Sequence, residues 1–406
     1  MPSSFIHPSG KSQFAYKATV IILNLCCLGG YAAPSPAAGD NLGEIIVTGR
    51  QPVVSEISTV HRVDAGEIEL RDDRNLGDVM ELIPGVNVRV GGQAVPRIDI
   101  RGLRTRHVKL LVNGIVFNST FDGQFDPTLF PAEQLEQVKV TTGGVSELYG
   151  SGAMAVINIL TPSSADNALK VLAEMGLGGD SRFAFSSGGS QGPLNYYLSA
   201  SRQDRKGFEL SGDFVPTSIE DGGLRDNSDR KRNNVFGNIS YSPSDNLQLG
   251  LIVSGLTGEY GLPPAVVNDP ADIFASRPSY ERVENQNGIA AQTSFDYDSH
   301  NHWFARGWGY GNRLSEDENR YDDATYSSID DVSQSGNYLT TVETLVAGLG
   351  LQAGYHFNER ARLTLGLDYH RDNWQQDGVI RDVAVGGGGG SPRPVASCPY
   401  GSPGPG

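Results

Sequence analysis

The sequence is short of the features that most function classes need. It holds three cysteines, Cys26, Cys27 and Cys398. The first two fall in an N-terminal leader, so the rest of the chain has one and no internal disulfide framework can form. No His or Cys pair has metal-site spacing. Basic residues are few: 32 Lys and Arg stand against 47 Asp and Glu, a formal charge of −15, which excludes the cationic face that nucleic acid requires. Long hydrophobic runs are missing too. Ala18 to Leu28 is too short to cross a bilayer as a helix, which takes about twenty residues. What the chain does have is glycine, 51 residues of it, mixed with Asn, Asp, Ser and Thr as in β-structure with many turns.

Lys11 and Lys17 precede the apolar run, and small residues with Pro34 follow it. This is the pattern of a secretory signal peptide over residues 1–32, with cleavage after Ala32 or Ala37. Leu25 and Asn24 are not the small residues a lipoprotein signal places before its cysteine. A linker over 33–63 contains GEIIVTG, Gly43 to Gly49, whose β-branched run favours an extended strand with no partner nearby. It could also be the first strand of a domain.

From Asp64 the pattern is mixed α and β, over 64–165. Leu76, Val79, Met80 and Ile83 fall at helical spacing, and Pro84-Gly85 stops that helix. Short strands are expected at Val86 to Val90, Arg97 to Ile100, Val108 to Val112, Gln137 to Thr141 and Val156 to Leu160. Arg101, Arg104, Arg106, His107 and Lys109 form a cationic cluster. It is either a surface paired with acidic groups of a surrounding wall or a site for an anionic ligand. The loop Ile115 to Asp126 carries Phe117, Asn118, Phe121, Asp122, Gln124 and Phe125, a mixture suited equally to a small-molecule floor or to an ordinary loop with aromatic staples.

Beyond Asp166 the period becomes two. In Ala361 to His370, Leu363, Leu365, Leu367 and Tyr369 share one face opposite polar residues and glycine. Leu247 to Val253 and Leu345 to Tyr355 repeat this, the signature of transmembrane barrel strands. Tyr241, Trp303, Tyr355 and Trp374 lie toward strand ends, where interfacial aromatics belong. From Trp303 to Asn312 the alternation is weak and leaves the facing open. Strands are expected near 168–177, 181–188, 194–204, 232–242, 247–258, 288–298, 302–313, 343–357 and 361–375. Long polar loops (205–231, 259–287, 314–342) alternate with tight turns (243–246, 299–301, 358–360). Outer-membrane barrels place every long loop at one end; a soluble sandwich has no reason to.

The stretch LYGSGAMAVINILT, Leu148 to Thr161, ties these parts together. With RIDIRGLRTRHVKLLVNG (Arg97 to Gly114) and PAEQLEQVKVTTGGVSELYG (Pro131 to Gly150), it resembles the plug domain of TonB-dependent outer-membrane receptors. Gly143-Gly144 stands where the family has Gly-Pro, and Met154-Ala155 where it has a glycine pair. The resemblance implies a mixed fold: an N-terminal α+β plug followed by an antiparallel transmembrane β-barrel over 166–385. Glu44, Ile45, Ile46, Val47, Thr48 and Gly49 would be the TonB box, pairing with the TonB protein of the inner-membrane energy-transducing complex. Arg101, Gly102, Asn113, Gly114, Tyr149, Gly150 and Asn158 would be structural motif residues. Gly91, Gly92, Gln93, Phe117, Asn118, Phe121, Asp122, Gln124 and Phe125 would form the plug apex beneath a small-molecule ligand, a ferric siderophore ahead of cobalamin or haem. The barrel would sit among outer-membrane lipids. No covalent chemistry is implied; the alternative is a surface receptor or adhesin without energised transport.

The family closes its barrel with about twenty-two strands, and about nine are legible here. The tail 386–406 is low-complexity, so the chain is expected to be a truncated, non-transporting form. Three other signals are weak. GGSQG (Gly188 to Gly192) matches a nucleophile-elbow pattern but sits between strands, before Pro193, as a turn does. GLGLQA (Gly348 to Ala353) has no helix after it, and its glycines belong to the barrel's inward face. Asp213, Glu220, Asp221, Asp226 and Asp229 offer oxygens for a weak loop calcium, but Arg225, Arg230, Lys231 and Arg232 among them favour a mixed-charge loop. No resident cofactor is expected.

Overall fold

The computed structural model describes residues 59–90, 95–118, 123–143, 154–163, 168–269, 271, 278–299, 302–331, 336–358, 361–381 and 393–394. The leader, Glu44 to Gly49, Gly91 to Gln93, Phe121, Asp122, Tyr149 and Gly150 lie outside these residues, as does the tail apart from Arg393 and Pro394.

β1 (Thr59–Asp64) leads into α1 (Ala65–Leu70), where the Asp64 carboxylate accepts the Glu67 N–H at 3.0 Å. That bond satisfies a free donor of a helix too short to stand alone. α2 (Leu76–Met80) starts the same way, with Asn75 accepting from Gly77 N at 2.8 Å. Leu76, Val79, Met80 and Ile83 are all buried. β2 (Val86–Val90) and β3 (Pro96–Ile100) pair as a hairpin. β4 (Val108–Val112), β5 (Ile115–Val116), β6 (Gln137–Thr142) and β7 (Ala155–Leu160) join β1 in a five-stranded sheet ordered β1-β6-β7-β4-β5. β7 is parallel to β4 and antiparallel to β6. Ala155 to Ile159 are all buried, and a strand covered on both faces reads apolar without alternation. β1 and α1 are additions to the sequence reading, because His61 and Arg62 interrupt the pattern of β1 and six residues are too few to display a helical period.

The second sheet holds β8 (Ala168–Met175), β9 (Ser181–Gln191), β10 (Leu194–Arg205), β11 (Arg230–Ser244), β12 (Leu247–Leu262), β13 (Tyr280–Asp298), β14 (Trp303–Tyr321), β15 (Tyr338–Asn358), β16 (Ala361–Ile380) and the two-residue β17 (Arg393–Pro394). Each pairs antiparallel with its sequence neighbours, and among the described residues β8 and β17 are the unjoined ends. No helix of the described residues is long and apolar enough to cross a membrane.

β13 to β16 run five to eight residues farther into the long-loop end than expected from the alternation. Alternation marks where one face meets lipid, whereas the hydrogen-bonded ladder continues beyond it. On β14 the pairing resolves the facing. Trp303, Ala305, Gly307, Gly309 and Gly311 lie opposite the outward Tyr355, Ala353, Leu351, Leu349 and Ala347. The larger Phe304, Arg306, Trp308 and Tyr310 therefore face inward, an inversion of the usual rule. Trp308 and Tyr310 cover Gly350 and Gly348, where a Cβ would overlap their rings. Those glycines are inward because the aromatics need the space. Trp374 pairs with Thr344 on the same inward side, which removes it from the expected interfacial aromatics; Tyr241 and Trp303 are exposed outward.

Candidate functional site

Two left-handed turns shape the plug below its apex. Arg101 and Gly102 have φ of 50° and 83°, and Ile100 and Leu103 exchange backbone bonds of 3.0 and 2.9 Å across them. Asn113 and Gly114 repeat the conformation at 51° and 84° between β4 and β5. Positive φ at both central positions is what a tight hairpin turn needs, and Asn tolerates it better than most residues. Asn113 also clamps the end of β7: its Nδ2 donates to Thr161 Oγ1 at 2.9 Å and its Oδ1 accepts from Thr161 N at 3.0 Å. Asn158 Oδ1 accepts from Gly114 N at 3.1 Å. The Asn-Gly turn and the Val-Ile-Asn-Ile strand are one hydrogen-bonded unit.

The turn delivers the chain to the apex. Phe117, Asn118, Gln124 and Phe125 all line a cavity of about 280 Å³ whose far wall is β12 to β15. They play unequal parts. Asn118 is committed to the loop, accepting from Leu110 N at 2.8 Å and donating to Val108 O at 2.9 Å and Gly123 O at 2.8 Å. Phe125 is buried in the plug core, and Phe117 packs edge-on against Phe130 with centroids 5.0 Å apart. The aromatics are largely staples, and the cavity's polar face comes from residues that sequence reasoning left out: Asp126, Tyr260, Gln286, Glu316 and Tyr338.

Asp126 anchors this face to the wall. Its carboxylate lies 3.1 Å from Arg232 and accepts from Thr128 N and Oγ1 at 2.8 and 2.7 Å. Arg230 donates to Thr128 Oγ1 at 3.2 Å, Arg232 does the same, and Arg232 also donates to Gln286 at 3.3 Å. Gln286 in turn donates to Glu316 at 2.9 Å. Burial alone would raise the Asp126 carboxyl, yet Arg232, Arg230 and the Thr128 bonds outweigh it and hold it below its ordinary range. Arg230 and Arg232 share the alternation of the inward Asn234, Phe236 and Asn238, and that parity was the available signal.

Elsewhere along the seam Arg182 pairs with Glu133, Arg74 lies 2.6 Å from Asp180, and Lys170 lies 2.6 Å from Glu69. Asn238 donates to Pro162 O at 2.8 Å. The expected wall partners of Arg101, Arg104, Arg106, His107 and Lys109 are not seen among the described residues. Arg104 faces Asp99 of the neighbouring β3, within the plug itself, at 3.7 Å. At Asp126 and Glu133 the charges cross the other way, from wall guanidiniums to plug acids.

Residues 52–157 match the family model described as TonB-dependent Receptor Plug Domain. That stretch carries a plug domain of the TonB-dependent receptor type. Over 331 residues it is 24% identical to the vitamin B12 transporter BtuB of Photobacterium profundum, covering 81% of this chain and 49% of that protein. The Vibrio vulnificus protein of the same name is 30% identical over 201 residues, covering 48% and 31%. The chain thus spans half or less of these relatives. In fold it is similar to the ferripyoverdine receptor of Pseudomonas aeruginosa (TM-score 0.63, 15% identity, 84% of this chain and 47% of that one). The ferric citrate transporter FecA gives a TM-score of 0.59 at 15% identity, with 86% and 52% covered. The chain is thus a plug domain followed by antiparallel barrel strands.

In the 206–229 loop, Glu220, Asp221 and Asp226 come together, while Asp229 is held by Arg282 at 2.8 Å. Arg225 pairs with the buried Glu220 and so already supplies a counter-charge. Ser190 of GGSQG lies in β9, and Gly192-Pro193 forms the two-residue link to β10, with Gly192 at φ 59°. This is a hairpin turn.

Proposed function

We propose that this receptor takes part in energised uptake of a scarce, bulky solute across the outer membrane, the solute resting between the plug apex and the β12 to β15 wall. The observation that carries the reading is the shared cavity: apex residues Phe117, Asn118, Gln124 and Asp126 and wall residues Tyr260, Glu316 and Tyr338 line one space. A solute there touches both the movable and the fixed part of the protein. Glu44 to Gly49 would supply the strand that adds to the TonB protein's sheet through main-chain bonds, after removal of the leader on export. Ferric siderophores and cobalamin are the leading solutes: the names of the solved relatives favour the first, those of the sequence relatives the second. Either would be bound and moved without covalent chemistry, and the 206–229 loop acids could add a weak calcium at the mouth.

The test is growth rescue in a Gram-negative host lacking its own iron-chelate, haem and cobalamin receptors, with the gene expressed from its complete locus. Rescue by a chelate, haem or cobalamin is expected, with loss on deletion of Glu44 to Gly49. Rescue that survives the deletion would leave a passive surface receptor as the better reading.

A further inference from the structure

We infer that Trp308 and Tyr310 form a second contact site on the inner wall, below the cavity, for a flat conjugated ring of the solute. This rests on the uptake reading above and adds a chemical class and a place on the route inward. The outer face of a membrane barrel is ordinarily apolar and the inner face polar. β14 reverses this: Gly307, Gly309 and Gly311 stand outward, while Trp308 and Tyr310 face the lumen. Across from them on β15 are Gly350 and Gly348. A Cβ at Gly350 would overlap the Trp308 indole, and one at Gly348 the Tyr310 phenol. Both rings therefore lie down on the β15 backbone instead of crossing the lumen. A ring held this way covers the wall with one face and turns the other to the interior. Both residues stay half-buried.

The strip is continuous with the cavity. Asn312 and its partner Val346 line the cavity. Tyr310 and Gly348 are the next inward pair, about 7 Å along the strands, and Trp308 and Gly350 follow. On the other side of Tyr310, its β13 partner Gln292 donates to Val112 O of the plug at 3.4 Å. The strip therefore runs beside the plug sheet, between plug and wall. β16 completes each row, with His370 across from Gly348 and Asp368 across from Gly350, both exposed. Aromatic faces bordered by a few polar groups are the makeup of a small-molecule site. A conjugated ring stacks on the two faces, and His370 and Asp368 can hydrogen-bond its hydroxyl or amide substituents. An aliphatic solute gains no stacking there.

The test uses two redox-inert gallium(III) chelates, a tricatecholate with aromatic arms and a trihydroxamate with aliphatic ones. They are added to the purified protein, expressed from its complete locus, and hydroxyl-radical oxidation is read by mass spectrometry. The tricatecholate should protect Trp308 and Tyr310 at least about threefold, as burial under a ligand does. Trp303, on the outward face of the same strand, should not change, and the trihydroxamate should protect neither ring. Trp308→Leu combined with Tyr310→Leu should weaken tricatecholate binding at least about fivefold and leave the trihydroxamate within about twofold. Trp308→Phe, which keeps a ring, should stay within about twofold of the parent. Tricatecholate binding without protection of these rings, or equal losses for both chelates, overturns the inference and leaves the uptake reading standing. Binding of neither chelate also overturns it, and the uptake reading then rests on the growth test above. The footprint on the unaltered protein decides even if the double variant misfolds.

Discussion

Replacing Asp126 with alanine should release the plug apex from the barrel wall. The Asp126 side chain is 11% exposed and Arg232 only 3%, so the pair is effectively out of water. Removing the acid leaves Arg232 with Thr128 and Gln286 as neutral acceptors, and leaves Arg230 beside it. Breaking a buried pair from one side costs about 3–5 kcal/mol. The remaining acceptors place this case near the lower end, about 3 kcal/mol, or roughly a hundredfold in the opening equilibrium. Hydrogen exchange of amides 123–130 measures this, with the amides of β7 as the internal reference. The apex amides should exchange about a hundredfold faster in Asp126→Ala and β7 should not change. Asp126→Ala combined with Arg232→Met should regain much of the protection, because the stranded charge is gone. Apex exchange within threefold of the unaltered protein, in a folded variant, would refute the reasoning.

The same pair predicts an acid response. The folded Asp126 carboxyl lies below its ordinary 3.8, so its stabilisation is complete above that value and is lost as pH falls through the depressed one; apex exchange should rise only below about pH 3.8. Asn113→Ala loses the bonds to Thr161 and the residue suited to φ 51°. It should destabilise the plug by about 2 kcal/mol in urea melts, with Asn113→Gly recovering the turn but not the bonds; an alanine variant equal to the parent would contradict this. Gly350→Ala drives a Cβ into Trp308 and should cost about 1–3 kcal/mol, seen as a lower melting midpoint and a shifted tryptophan emission. A peptide spanning Glu44 to Gly49 should bind the TonB protein's C-terminal domain and lose binding when Ile46 becomes proline, which cannot donate to a strand ladder.

Much of this fold could be read from local sequence. β2, β3, β4, β6 and β7 lie within one residue of where apolar runs and turn residues placed them. The outward faces of β12, β15 and β16 follow the period of two, since lipid on one side forces it. Arg101-Gly102 and Asn113-Gly114, which the resemblance marked as motif residues, both proved to be positive-φ turns, a conformation that glycine and asparagine accept more readily than most residues. Where the reading failed, the determinant lay on another strand. The weak alternation of β14 makes sense once Trp308 and Tyr310 are seen lying over Gly350 and Gly348. Asp126 looked like the end of a loop until the fold brought Arg232 to it from 106 residues away.

By itself the sequence determined the plug domain, its core and the order of the barrel strands, because each depends on neighbours within a few residues or on a periodicity along one strand. Only the tertiary structure decided which apex residues are staples and which face the cavity, and which charges hold the plug to the wall. Those choices depend on burial and on distances between segments far apart in the chain. A carboxylate in isolation carries the same charge at position 126 as at 122; only its surroundings make it an anchor.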